Sequence, residues 1–259
     1  MPDYLDTLAR DAKETVNEGY YEASTQLSAP SVSLRKAIIE SRQNAVITEV
    51  KAASPSRGTI KTDFDPAEIA GAMENGGATG ISVLTEPKHF GGSLSYLVGV
   101  RKAVRLPILM KDIIIDQIQL ETASKIGANV VLLIEAIFKR KYCELSLDEM
   151  IKQAHARHLE VLLETHNEDE FQHAIETDAD LVGINNRDLR TLKVDLHITE
   201  RILRKHENNN KVVVSESGVM TTADLLFLRG CGALAFLIGS SVMMADNIEQ
   251  KVKEFVTAH

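Results

Sequence analysis

Short apolar runs punctuate this chain about every thirty residues, the spacing of a repeated strand–helix unit. Eight of them read as strands: Ala45–Lys51, Gly80–Thr85, Ile108–Lys111, Val130–Ile134, Val161–Glu164, Leu181–Asn185, Val212–Glu216 and Leu234–Gly239. Most are continuous rather than alternating, which predicts strands buried on both faces. Between them lie stretches with legible helix ends. Asp65-Pro66-Ala67-Glu68 supplies a cap, a first-turn proline and a glutamate, and Gly76-Gly77 closes that helix. Ser146 and Asn167 cap two more, each with a glutamate three residues on. Gly127 and Gly230 fall where helix C-termini need a positive φ.

One helix between each pair of strands predicts an α/β fold, a (β/α)8 TIM barrel. A doubly wound sheet is the alternative, but no Gly-x-Gly-x-x-Gly follows the first run. Residues 1–44 precede the first strand and read as an N-terminal helical extension, Tyr4–Tyr21 and Ser33–Arg42, packed on the barrel or covering one mouth. Residues 45–259 are the barrel, and the whole is expected to form one domain.

Composition narrows the function. The formal charge of −8 speaks against a broad basic face for nucleic acid, although local cations can still hold an anionic small molecule. The two cysteines, Cys143 and Cys231, belong to no metal-binding or disulfide pattern. Met1–Asp6 is acidic without an apolar core, and the greasiest stretch, Val130–Phe138, is broken by Glu135. No signal peptide, membrane span or zinc site is therefore expected, and the location is expected to be cytoplasmic.

The chemistry gathers at strand ends. Lys51, Lys111, Glu164, Asn185 and Glu216 each end an apolar run, a position a core strand has no need to make polar. Glu49 shares a strand face with Lys51. In a parallel barrel these ends surround the active site, and two lysines with three glutamates suit general acid–base work. Ser215-Glu216-Ser217-Gly218 and Ile238-Gly239-Ser240-Ser241 are turns in the loops that usually bind phosphate in this barrel. Ser54-Pro55-Ser56-Arg57-Gly58 reads as a mobile loop closing over an anion. The His155/His158 pair reads as a solvated helix face, and His166 as a loop residue near the site.

These segments resemble one family. Glu49–Gly58, Ser82–Glu86, Leu109–Asp112, Asn185–Leu189, Ser215–Gly218 and Leu237–Ser241 are similar, in order and spacing, to the signatures of indole-3-glycerol-phosphate synthase. The resemblance implies the fourth committed step of tryptophan biosynthesis: ring closure, decarboxylation and dehydration of 1-(2-carboxyphenylamino)-1-deoxyribulose 5-phosphate, without cofactor. It implies that Lys111 is the general acid at the ketone and that Lys51 meets the anthranilate carboxylate and donates a proton in dehydration. Glu164 would be the later base, Glu49 and Glu216 orienting carboxylates, and Asn185 a substrate contact. Ser54, Ser56, Ser217, Gly218, Gly239 and Ser240 would hold the phosphate end, Arg187 would tie the closing loop, and Phe90 and Leu189 would wall the aromatic ring. Where the family usually has Phe after Lys-Asp, this chain has Ile113, so an aliphatic wall and altered affinity or turnover are expected. The resemblance leaves open a weak contact with neighbouring enzymes of the pathway. The rival readings are another sugar-phosphate barrel, an isomerase or Schiff-base aldolase, and a phosphate-metabolite binding protein without turnover.

Overall fold

The computed structural model describes residues 3–22, 25–27, 30–54, 58–59, 64–206 and 210–259. Among these, eight parallel strands close into a barrel: β1 (Ala45–Val50), β2 (Gly80–Leu84), β3 (Ile108–Lys111), β4 (Val130–Ile134), β5 (Glu160–Thr165), β6 (Leu181–Asn185), β7 (Val212–Glu216) and β8 (Ala235–Ile238). Neighbours in sequence are neighbours in space, and β1 closes the ring on β8 through Ala45–Ala235 to Thr48–Ile238. This is the TIM barrel expected from the sequence. Two short antiparallel strands after β1, Ala53–Ser54 and Gly58–Thr59, were not expected.

The period of two along each strand divides the apolar residues between two cores. Val46, Val50, Val83, Met110, Val131 and Leu163 face outward into the layer between sheet and helices. Ile47, Leu109, Leu132, Leu162, Val214 and Leu237 fill the barrel interior. Counting by twos from the interior set gives Glu49, Lys51, Lys111, Glu164 and Glu216. The charged side chains therefore stand on top of a packed apolar column and all face inward at one end.

The helices are α1 (Tyr4–Asn17), α2 (Leu34–Glu40), α3 (Pro66–Asn75), α4 (Leu94–Ala103), α5 (Gln117–Ile126), α6 (Glu135–Lys139), α7 (Leu147–His155), α8 (Glu168–Glu176), α9 (His197–Lys205), α10 (Thr222–Gly230), α11 (Ser240–Met243) and α12 (Ile248–Val256). None of these is long and apolar enough to cross a membrane. Asp65, Ser146 and Asn167 cap α3, α7 and α8 as their sequences predict, and Gly127 ends α5 at φ +94°. Gly230 departs from expectation: it is the last helical residue of α10, and the positive φ falls on Gly232 at +104°. The amide of Ala233 reaches back to the Leu228 carbonyl (3.2 Å), and the residue before that amide makes the left-handed turn.

The N-terminal segment touches both ends of the barrel. At the mouth, Leu5, Leu8 and Ala12 of α1 pack in one apolar cluster with Ile113, Ile134 and Ile137. α1 stops at Asn17 rather than Tyr21, because Gly19 (φ +76°) turns the chain. Tyr20 and Tyr21 then fold inward, their hydroxyls donating to the Thr85 carbonyl (3.0 Å) and to Asp112 (2.9 Å). At the opposite end α2 is shorter than its sequence suggests, and Leu34 packs so close to Gly80 that a side chain there would meet it at 2.6 Å.

Candidate active site

The barrel mouth encloses a cavity of about 420 Å³, within the usual range for small-molecule sites. Three of its carboxylates and both lysines come from the inward strand ends. Lys111 Nζ lies 3.1 Å from Glu164 Oε2 and 3.5 Å from Glu216 Oε2. Lys51 Nζ pairs with Glu49 Oε1 at 2.8 Å. The Ser82 hydroxyl donates to Glu49 Oε2 over a long 3.5 Å.

Lys111, Glu164 and Glu216 are perturbed. Burial alone would strip Lys111 of its proton. Glu164, Glu216 and Glu49 outweigh that effect and hold its ammonium well above the ordinary lysine range. Burial pushes Glu216 up to about 8, against the pull of Lys111, with Glu164 adding to the rise. Both Glu216 carboxylate oxygens are buried without a hydrogen-bond partner. Glu164 moves the opposite way: burial would raise it, but Lys111 and His166, helped by the Asn185 side chain, hold it far below the usual carboxylate range. Two neighbouring glutamates are thus pushed in opposite directions, one down and one up, the pattern that divides base from acid. A permanently charged Lys111 does not suit a Schiff base, which needs a neutral amine.

Missing side chains make room for this cluster. A Cβ on Gly183 would come within 2.1 Å of Glu216 Oε1, and one on Gly239 within 2.6 Å of Glu49 Oε1 and 2.7 Å of Lys51 Nζ. The β7 turn carries two consecutive left-handed residues, Ser217 (φ +65°) and Gly218 (φ +98°). Asn186 braces that turn, donating to the carbonyls of Glu216 (3.0 Å) and Ser217 (3.2 Å). The Ser241 hydroxyl ties it to the β8 turn by donating to the Val219 carbonyl (2.9 Å). Ser217, Gly218, Gly239 and Ser240 thus line one side of the cavity together. Asn185 and Arg187 also line it. The Asn185 Oδ1 accepts from the Arg187 amide (3.0 Å), and the Arg187 guanidinium donates to the Leu192 carbonyl (2.9 Å).

The remaining wall is apolar. Phe90, Ile113 and Leu189 line it, so the residue at the family's usual phenylalanine position faces the cavity as an aliphatic side chain. Of the expected site residues, Ser56 lies outside the described residues, and Ser54 is described only as backbone of a short strand. All the others border the one cavity.

Several lining residues had no expected role. Leu84, Leu132 and Ile134 are reached by the same count of two on strands whose ends are apolar, a signal that goes unnoticed when only polar ends are sought. Tyr4 and Leu8 come from α1, whose docking place no local pattern announces. Glu86 accepts from the amides of Lys88 (2.9 Å), His89 (2.7 Å) and Phe90 (2.9 Å), and so fixes the loop that presents the Phe90 ring. His166, expected as a loop residue, is buried against Glu164. The His155/His158 pair fits its reading as a surface face: His155 is half-exposed and pairs with Asp180 (2.9 Å).

Comparison with known proteins agrees with this geometry. A family model described as indole-3-glycerol phosphate synthase matches residues 5–255. A protein of that name from Methanocaldococcus jannaschii is 45% identical over 227 residues, 86% of this chain and 82% of the relative. One from Neisseria meningitidis is 46% identical over 208 residues, 80% of this chain and 78% of the relative. Among solved structures, a thiamine phosphate pyrophosphorylase from Pyrococcus furiosus superposes with a TM-score of 0.60 at 16% identity, covering 86% of this chain and 96% of that one, a likeness of fold alone.

Proposed function

The chain belongs to the indole-3-glycerol phosphate synthase family, and on that premise we propose that it converts 1-(2-carboxyphenylamino)-1-deoxyribulose 5-phosphate to indole-3-glycerol phosphate, CO2 and water. The observation that carries this reading is the charge arrangement at the mouth. Lys111 stands between Glu164 (3.1 Å) and Glu216 (3.5 Å), with Lys51 and Glu49 paired close by and an apolar wall opposite.

The phosphate end takes the Ser217–Gly218 and Gly239–Ser240 turns, whose backbone amides can approach an anion closely. The aromatic ring takes the wall of Phe90, Ile113 and Leu189. This leaves the ketone facing Lys111 and the anthranilate carboxylate facing Lys51. The ring carbon bearing the carboxylate attacks the ketone carbon. The carbonyl electron pair moves to oxygen, and Lys111 supplies the proton that neutralises it. Loss of CO2 returns the bond's electron pair to the ring. In dehydration the hydroxyl leaves as water with a proton from a lysine, and Glu164 removes a proton from the methylene carbon beside nitrogen, forming the new double bond. Glu216 and Asn185 orient these groups. Remote binding of the phosphate holds the reacting atoms in place. Arg187, tied to the Leu192 carbonyl, borders the same site. A cytoplasmic location belongs to the same reading.

A fluorescence assay for indole-3-glycerol phosphate, with Lys111→Ala and Glu164→Gln alongside, tests it. The parent is expected to form product, and the two folded variants to lose about a thousandfold or more in kcat/KM, at the upper end of what general acid–base groups supply. No product from folded parent protein that still binds the substrate would overturn the reading.

A further inference from the structure

Behind Glu164 stands a group the scheme above does not use. His166 follows Glu164 by two residues, in the bend just past the end of β5. Its Nε2 lies 3.1 Å from Glu164 Oε1, the oxygen that faces away from Lys111, at ion-pair distance but outside hydrogen-bond geometry. Its Nδ1 lies 3.4 Å from Glu170 Oε2. Glu170 belongs to the first turn of α8, and its carboxylate also accepts from the His166 amide (2.7 Å) and the Asn167 side chain (2.5 Å). The imidazole is largely buried, at 12% side-chain exposure, and does not line the cavity.

The result is a file of alternating groups from the helix end to the mouth: Glu170, His166, Glu164, Lys111. A buried imidazole that faces an ionised carboxylate from each nitrogen satisfies both as the doubly protonated cation, since a neutral ring presents a proton from only one nitrogen. We propose that His166 is a positioning residue for Glu164: a buried imidazolium that holds one carboxylate oxygen, keeps the group ionised, and leaves the other oxygen to face Lys111 and the substrate. The proposal rests on the assignment of Glu164 as the base.

The electrostatics point the same way. Burial would lower the His166 pKa, but Glu164 and Glu170 outweigh it and raise it to about 9. The charged groups around it are few. Glu164 lies near the end of β5 with Lys111 beyond it, and Glu170 lies on α8. Glu135 of α6 acts on Glu170 from a distance while paired to His173 at 3.1 Å.

The sign of the effect follows. Glu164 works as a base only when ionised, and its rate falls where it becomes protonated. Removing the positive ring raises the Glu164 pKa, so the acidic limb of the kcat profile must move to higher pH. For His166→Gln, the midpoint of that limb is expected to rise by at least about one pH unit, with KM within about threefold. Glu170→Gln keeps the ring but removes the carboxylate that holds its second proton. It is expected to shift the limb in the same direction by a smaller amount, and it serves if His166→Gln does not fold. Carbon-13 spectra of the ring in the parent protein should show His166 titrating near pH 9. An acidic limb unmoved in both folded variants, or a His166 ring that titrates at or below about 6.5, would overturn the proposal. Glu164→Gln separates the two ideas. If that variant keeps the parent rate, the assignment of the base fails. If it is inactive while the limb stays put in the other two, only the role of His166 fails.

Discussion

Strand β5 carries a glutamate at each end, and the two lead different lives. Glu160, at the start, accepts from the Leu34 amide (2.9 Å), the Arg35 amide (3.1 Å) and the Ser33 hydroxyl, and so caps α2. Glu164, four residues on, is surrounded by side chains: a lysine, an imidazole and a second carboxylate. The contrast holds for the two ends of the barrel as a whole. At the closed end, Asn129 accepts from the Ile108 amide and from Arg101, and Asn44 donates to the carbonyls of Phe255 and Ala258. Polar groups there are consumed by the backbone. At the mouth they are held against one another, and Glu216 faces Lys111 at 3.5 Å with neither buried oxygen in a hydrogen bond. A carboxylate satisfied by amides stabilises a fold; one balanced only by movable charges is available to a substrate.

The largest effect that could break this contrast comes from exchanging each glutamate for its amide. Glu164→Gln is expected to lose the activity described above while melting near the parent. Glu160→Gln is expected to keep kcat/KM within about twofold and to lose about 1–2 kcal/mol, a few degrees in Tm. Parallel assays and thermal melts check both, and a catalytic defect in folded Glu160→Gln would erase the distinction.

A pair of glycines sharpens the contrast at the next scale. Gly239→Ala places a methyl against the ends of Glu49 and Lys51, which can swing away, so the expected result is a loss of about ten- to a hundredfold in kcat/KM with little change in Tm. Gly80→Ala meets Leu34 at 2.6 Å and the Pro107 carbonyl at 3.3 Å. There the expected result is about 1–3 kcal/mol of overpacking with the turnover of the parent.

The last test lies in the pH dependence of stability. His166 has a folded pKa of about 9, above its ordinary 6.5, so its stabilising contribution is complete below about 6.5 and lost as pH rises through 9. Glu216, raised to about 8, acts in the same sense. Denaturation followed from pH 6 to 9.5 should therefore show stability falling, by at most about 3 kcal/mol from the histidine. The fall should shrink in His166→Gln. A flat curve in the parent would mean the imidazole is no more charged in the folded state than outside it.

Much of this was legible in the sequence, and particular residues explain why. Continuous apolar runs bounded by glycines and capping residues marked β3, β4, β6 and β7 to the residue, because parallel strands buried on both faces admit nothing else. Lys111, Glu164 and Glu216 could be read because a charge that ends such a run has no structural purpose. What stayed hidden depends on distance in the chain. The path of Tyr21 to Asp112 and the docking of Tyr4 and Leu8 over the mouth are tertiary choices among several surfaces of similar character. His166 was visible as a neighbour of Glu164, but its burial between two carboxylates requires α8 to fold back, which no local pattern states. Gly230 misled because a glycine near a helix end need not be the residue that turns it; Gly232, two residues on, does so.

Closing the ring through β1 and β8 has a consequence for how the molecule comes into being. Ala45 leaves the ribosome early and its register partner Ala235 among the last, so β1 waits through the synthesis of almost the entire barrel with one edge unpaired. During that interval the nascent chain is an open, twisted sheet with two sticky margins, able to recruit strands from other molecules. Only the arrival of Ala235–Ile238 removes both margins at once. A pause in synthesis just before that four-residue strand would thus prolong an aggregation-prone species.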